Sequence, residues 1–246
     1  MHMGMAFMNK IWLPILIALG LCACGGGGGG GNSSSSGNGS NSGNGGSGSG
    51  GSSPTSFPLA SAFSALSQTN HSYNLSALSG ADNYTMEISD TPGTQQLFEG
   101  HLSSTLVQLL IMKKNGVVVS TGSSTSYFDV SPFMGWGSIS GDGSYEVTSG
   151  QQPLPSSATV GQSGALETDT TYTSSAKILI SSYGLVTWSL ESDTATSAWA
   201  CVNSTTAFTN NAPAVSGAQC YRVDQTGNIS AMKVTVYDNG QALTFQ

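Results

Sequence analysis

The sequence predicts an all-β fold, an antiparallel meander of about ten to twelve strands built as a sandwich, a barrel or a curled half-barrel, with one short N-terminal helix. Three observations predict it. Apolar and polar residues alternate through much of residues 57–246, which gives strands one buried and one wet face. Turn signals separate those runs at hairpin spacing, and no strand–helix–strand pattern interrupts them. Charged residues make up only 8% of the chain, with Ser, Thr, Gly and Asn in their place, so solubility rests on neutral hydrogen-bonding side chains.

The elements follow in order. After Pro58, the large apolar groups Leu59, Phe63 and Leu66 recur every three to four residues, the spacing of one helical face. Tyr84, Met86 and Ile88 alternate with Thr85, Glu87 and Ser89. Between Leu106 and Val119 the pair Asn115-Gly116 separates two apolar runs. Both residue types tolerate positive φ, so a tight hairpin is expected there. Lys177 to Leu190 has the same shape around Tyr183-Gly184, with Val186, Trp188 and Leu190 on one face. A second hairpin is expected at that pair. Val234 and Val236, then Asp238-Asn239-Gly240, then Leu243 and Phe245 give the C-terminal hairpin. A membrane-spanning barrel is not expected, since the strand faces are rich in Ser and Thr and lack paired aromatic girdles.

Ahead of this domain, residues 24–56 read as a flexible tether. Gly25 to Gly31 is an unbroken glycine run, followed by Asn, Ser and Gly to about Ser53, with no apolar group to offset the entropy of ordering it. Its reach is about 30 Å r.m.s. and about 110 Å at full stretch. Gly43, Gly45 and Gly48 fit a dinucleotide-binding spacing by composition alone, with no strand before them and no helix after.

Residues 1–23 have the look of an export signal. Lys10 leads into an apolar run from Ile11 to Leu21, a signal-peptide core far short of the roughly 20 residues that span a bilayer. The run ends in Leu21-Cys22-Ala23-Cys24. This resembles the lipobox of bacterial lipoproteins: Leu, a small residue, Ala, then the modified Cys. Met1 to Phe7 departs from that pattern and leaves Met1 and Met8 both open as the start. The resemblance implies cleavage after Ala23, a diacylglyceryl group on the Cys24 sulfur, and acylation of the new amine. One chain binds a membrane marginally, at about 0.8 kcal/mol per methylene, and two or three hold stably. Gly25 rather than Asp after the Cys implies, by the family's sorting rule, the outer membrane. The mature β domain resembles small outer-membrane lipoproteins in style, and no characterised family stands out for residues 57–246.

Composition narrows the partners. Without Lys10, five basic residues stand against thirteen acids, a net charge of −8, so nucleic acid is not an expected partner. The expected partner is the membrane, through the lipid on Cys24. Cys201 and Cys220 remain in the exported domain, and even pairing there favours a disulfide. Closing a loop of about twenty residues stabilises the fold by about 3 kcal/mol.

No catalytic set, cofactor site or metal site is expected. His71 and His101 stand alone, outside zinc-ligand spacings, and read as solvent-facing strand residues. Gly161-Gln162-Ser163-Gly164-Ala165 lacks the last Gly of a nucleophile elbow. Asp142 and Glu146 flank a turn, with Asp129 upstream, and could supply oxygen ligands to calcium; Asp-Gly is also ordinary turn chemistry. Phe133-Met134-Gly135-Trp136-Gly137 is the most suggestive run. A Trp between glycines could project from a loop, making Phe133 and Trp136 the candidate ligand contacts, or could plug one end of the sheet stack. Trp188 and Trp199 are expected in the core, near the bridge. A non-enzymatic binding or structural module is the leading expectation, ahead of a hydrophobic-ligand carrier and an envelope-polymer hydrolase.

Overall fold

The fold comes from a computed structural model that describes residues 55–238 and 241–246. The signal, Cys22, Cys24, nearly all of the tether, Asn239 and Gly240 lie outside the described residues. In chain order the elements are β1 (Ser56–Phe57), α1 (Leu59–Leu66), β2 (His71–Ser79), β3 (Asp82–Pro92), β4 (Gln96–Phe98), β5 (His101–Lys114), β6 (Val117–Val130), β7 (Phe133–Ser140) and β8 (Tyr145–Ser149). Then come β9 (Ala158–Thr159), β10 (Ser163–Tyr172), β11 (Ile180–Ser192), β12 (Ser197–Phe208), β13 (Val215–Asp224), β14 (Ile229–Asp238) and β15 (Gln241–Phe245).

Twelve of these strands form one antiparallel sheet in the order β2-β3-β5-β6-β7-β8-β10-β11-β12-β13-β14-β15. An even number of up-and-down strands leaves the first and last antiparallel, so they can meet. They do so at one residue pair: Ser76 and Gln246 exchange both backbone N–H···O bonds, each 3.1 Å. The sheet is therefore a nearly closed barrel. Of the three architectures open to the sequence, this is the barrel.

Local chemistry sets most of the turns. Asn115 and Gly116 take φ of 51° and 81°, as a tight hairpin demands, and β5 and β6 pair outward from it with one register shift between Met112 and Lys113. Val236 faces Leu243 and Val234 faces Phe245 across the C-terminal hairpin. The expected turn at Tyr183-Gly184 is absent, because both residues lie inside β11 and pair on both sides, with β10 and β12. The chain turns earlier, where Lys177 takes φ of 53° and its N–H reaches Ser174 O. Gly184 is an inner-face glycine that lies against Asp169.

The helix closes one end. Leu59, Ala62, Phe63 and Leu66 are buried, each large side chain stabilising the fold by about 1.5–3 kcal/mol. Phe63 packs edge-on against Tyr221 of β13, with centroids 5.6 Å apart. Ser64 Oγ donates to Val130 O, and Ala60 N–H to Pro155 O. The chain thus enters the barrel at this helix end. The turns after β2, β5, β7, β10, β12 and β14 all lie at the opposite, hairpin end.

Candidate functional site

The inner wall of the barrel is divided in chemistry. Leu75, Met86, Ile88, Leu110, Met112, Val234 and Val236 form one side, buried with α1 in a single apolar core. Strands β6 to β12 bring a different set inward, in two rows read from the strand registers. One row runs Ser126, Ser138, Glu146, Thr171, Ser182. The next runs Thr148, Asp169, Gly184, Thr206. Six hydroxyls, two carboxylates and a glycine thus occupy positions where a barrel interior ordinarily carries aliphatic groups.

Glu146 and Asp169 are the chemically distinctive members. Glu146 faces Thr171 and Asp169 faces Thr148 across β8 and β10. The two acids are therefore diagonal neighbours on one face, with roughly 7–8 Å between Cα atoms. Ser138 Oγ donates to Glu146 Oε1 at 3.2 Å, Thr171 Oγ1 to Glu146 Oε2 at 3.4 Å, and Thr148 Oγ1 to Asp169 Oδ1 at 2.9 Å. Asp169 is 2% exposed, and its Oδ2 has no hydrogen-bond partner. Gly184 lies beside that oxygen; a Cβ there would sit 3.2 Å from it. A side chain at 184 would fill the space into which Oδ2 points.

Electrostatics follow from the burial. Desolvation first, and then the Asp169 charge, hold the Glu146 carboxyl well above the usual carboxylate range, although part of the residue stays open to solvent. Burial pushes Asp169 up to about 6, against the pull of the Thr148 hydroxyl. Two neighbouring buried carboxylates disfavour full ionisation of both. The pair therefore holds a proton more readily than exposed acids would. Glu167, also buried, stands one row nearer the helix end, beyond a bulge at Leu166.

A second polar cluster sits on the opposite wall near α1. Gln108 Nε2 donates to Asp90 Oδ1 at 2.9 Å, and Gln219 Nε2 bonds the Tyr221 hydroxyl. Tyr73 stands against Tyr221 with centroids 6.2 Å apart. This cluster ties β2, β3, β5 and β13 together above the helix, and in it Asp90 Oδ2 and Gln219 Oε1 are also buried without a hydrogen-bond partner.

The structure places the residues singled out by sequence as follows. Cys201 and Cys220 are bonded, directly opposed on β12 and β13 with Cα atoms 3.9 Å apart. Glu191 approaches both sulfurs, but their mutual bond leaves no thiolate pair for a metal. Trp188 is core, whereas Trp199 lies half-buried on the outer face beside the bridge, between Arg222 and Lys233. Its register with Glu191 and Arg222 puts it opposite in phase to the core residues of β12.

Phe133 and Trp136 do not form a loop. They belong to β7, where their odd spacing puts them on opposite faces, and the bulge opposite Tyr127 and Phe128 falls at Trp136 itself. Phe133 packs inside against Phe128. Trp136 joins Phe98, Tyr127 and Tyr145 on the outer face, under a hairpin made by β4 and the start of β5. Glu99 at that hairpin's tip accepts from the Tyr145 hydroxyl at 2.6 Å and from Lys177 at 2.7 Å. Trp136 therefore neither projects as a ligand platform nor plugs the end of the sheet; α1 does the plugging. His101 stacks on Trp136, and His71 bonds Thr69, each at the start of its strand. Asp142 caps its own turn through Ser144 N–H. Asp129 sits on the outer phase of β6, so Asp129, Asp142 and Glu146 do not converge. Glu146 meets Asp169 instead.

An open groove of ≈ 520 Å³ lies along the outer face near Leu109, Ile111, Thr121, Ser123 and Asp142. It holds no acid pair. Among the described residues no helix is long and apolar enough to cross a membrane. Set against known proteins, the chain matches no family model, no curated protein and no solved structure.

Proposed function

We propose that the chain is a lipid-anchored binding module of the bacterial outer membrane, a barrel held on a flexible tether by the acyl chains of Cys24. The observation that carries this reading is the barrel's polarity. The tether joins at the helix end, which α1 closes, so the hairpin end is free to face away from the membrane. The outer strand faces suit water: Glu87 pairs with Lys113 and Glu191 with Lys233, ion pairs that a lipid-facing strand would carry at a cost of several kcal/mol.

The polar half of the inner wall is the natural place for a ligand. It favours a small, polar or cationic one over an acyl chain, because apolar contact would leave Asp169 Oδ2 without any partner. A hydrophobic-ligand carrier is therefore the weaker alternative. A hydrolase is a second reading with one observation behind it, since Glu146 and Asp169 are two ionisable groups converging on one site.

Cys24→Ser tests the anchor. It should move the chain from the membrane fraction to the soluble one, and a variant that stays with the envelope defeats the reading. Turnover of peptidoglycan or envelope polysaccharide, abolished in Glu146→Gln, would replace binding with catalysis.

A further inference from the structure

We infer that the inner wall holds a hard divalent cation, calcium, between Glu146 and Asp169 beside Gly184. This names the ligand of the site just described and rests on the reading of that wall as a binding surface. Three observations carry it.

The first is the register. β8 and β10 are joined through a long excursion that includes β9, yet their pairing sets Glu146 and Asp169 on one inner face as diagonal neighbours. The second is the orphaned oxygen. Asp169 is 2% exposed and its Oδ2 bonds nothing. A buried carboxylate oxygen without a donor is costly, and a cation removes that cost. The third is the space. Gly184 is flanked by residues with side chains, and a Cβ there would crowd Oδ2 at 3.2 Å. The backbone conformation of Gly184 is ordinary, so steric room beside Asp169 is what its missing side chain provides.

The donor set selects the ion. Carboxylate and hydroxyl oxygens line the site, with Thr148, Thr171 and Ser138 already bonded to the two acids. No sulfur or imidazole faces it among the described residues. All-oxygen sets suit calcium and magnesium rather than zinc or copper. Two carboxylates match one divalent charge. Ser and Thr side chains on neighbouring strands supply neutral oxygens at adjustable distances, which suits the looser shell of calcium better than the strict octahedron of magnesium.

Equilibrium dialysis of the full chain, extracted in detergent and stripped with a chelator, tests this with calcium alone as the probe. One calcium per chain should bind at neutral pH, and saturation should raise Tm by roughly 5 °C. Asp169→Asn and Glu146→Gln should each weaken binding tenfold or more, and Gly184→Ala should weaken it with both acids intact. Circular dichroism of the chelated variants shows whether each is folded. The amide variants remove a buried charge without changing shape, so they should fold at least as well as the parent.

Two results overturn the inference: a folded parent chain that retains no calcium, or binding that Asp169→Asn leaves unchanged. Acylation of Cys24 in the same sample is read separately by mass. An acylated chain without calcium rejects the cation site alone. An unacylated chain that binds calcium rejects the anchor and leaves the site standing.

Discussion

His101 lies face to face with Trp136, the ring centroids 3.4 Å apart and the planes within 11°. His101 is exposed and Trp136 half-buried, so the imidazole acts as a lid on the indole and joins the β4–β5 hairpin to β7. His101→Ala should expose Trp136, shift its emission to the red, and cost about 1 kcal/mol in denaturant unfolding. Unchanged emission would mean that the indole is covered by something other than His101.

Gly137 is fixed by two constraints at once. Its φ is 140°, and a Cβ there would lie 2.0 Å from the backbone oxygen of Glu146 and 3.0 Å from the Phe98 ring. Gly137→Ala should therefore cost about 3 kcal/mol or more, or prevent folding. Gly143, in the β7–β8 turn, has a positive φ but nothing within 4 Å. Gly143→Ala should cost only about 1–2 kcal/mol. Equal losses, measured by urea midpoint, would contradict the close approach at Gly137.

The disulfide staples two strands that already pair along their whole length. Replacing Cys201 and Cys220 together by Ala should lower stability by about 3 kcal/mol while leaving the far-ultraviolet spectrum that of a barrel. Loss of the β signal would show that β12 and β13 depend on the bridge to pair at all.

Asp90 gives a pH dependence with a definite sign. Burial holds its carboxyl above the ordinary range, while the Gln108 hydrogen bond and the nearby His71 pull the other way. A raised carboxyl pKa means that the fold binds the proton more tightly than the unfolded chain does. Its stabilising contribution is complete below about pH 4 and is lost as pH rises through the raised value. Asp90→Asn keeps the neutral form at every pH. The parent chain should therefore lose stability relative to the variant as pH rises from about 4 toward neutrality. The other groups facing Asp90 are common to both proteins, and the hydroxyls of Tyr73 and Tyr221 stay protonated there, Tyr73 being pushed up to about 12. Parallel urea midpoints across that range would contradict the assignment.

Much of the fold was legible in the sequence because its information is local. Asn115-Gly116 can make few things besides a tight turn, and the alternation around Met86 or Val234 marks an inner face without knowledge of any partner strand. Tyr183-Gly184 looked the same and was not a turn, because a glycine within a strand signals either a bend or a close approach, and local sequence does not separate the two. The barrel itself was beyond reach, since closure depends on Ser76 meeting Gln246 from opposite ends of the domain. The candidate site was missed for a related reason. Along the chain Glu146 stands beside Asp142, but its neighbour on the inner wall is Asp169, reached through a register that periodicity cannot give. The sequence does carry a signal: the inner phase of β6, β7, β8 and β10 reads Ser, Ser, Glu, Thr and Asp, where β3, β5 and β14 read Met86, Ile88, Leu110, Met112, Val234 and Val236.

The most direct test of the account is the intact mass of the chain extracted from membranes. A polypeptide starting at Cys24, with a diacylglyceryl group plus one further acyl chain on that first residue, is the predicted result. A chain with a bare amino terminus, or one that still carries the residues before Cys24, would contradict it.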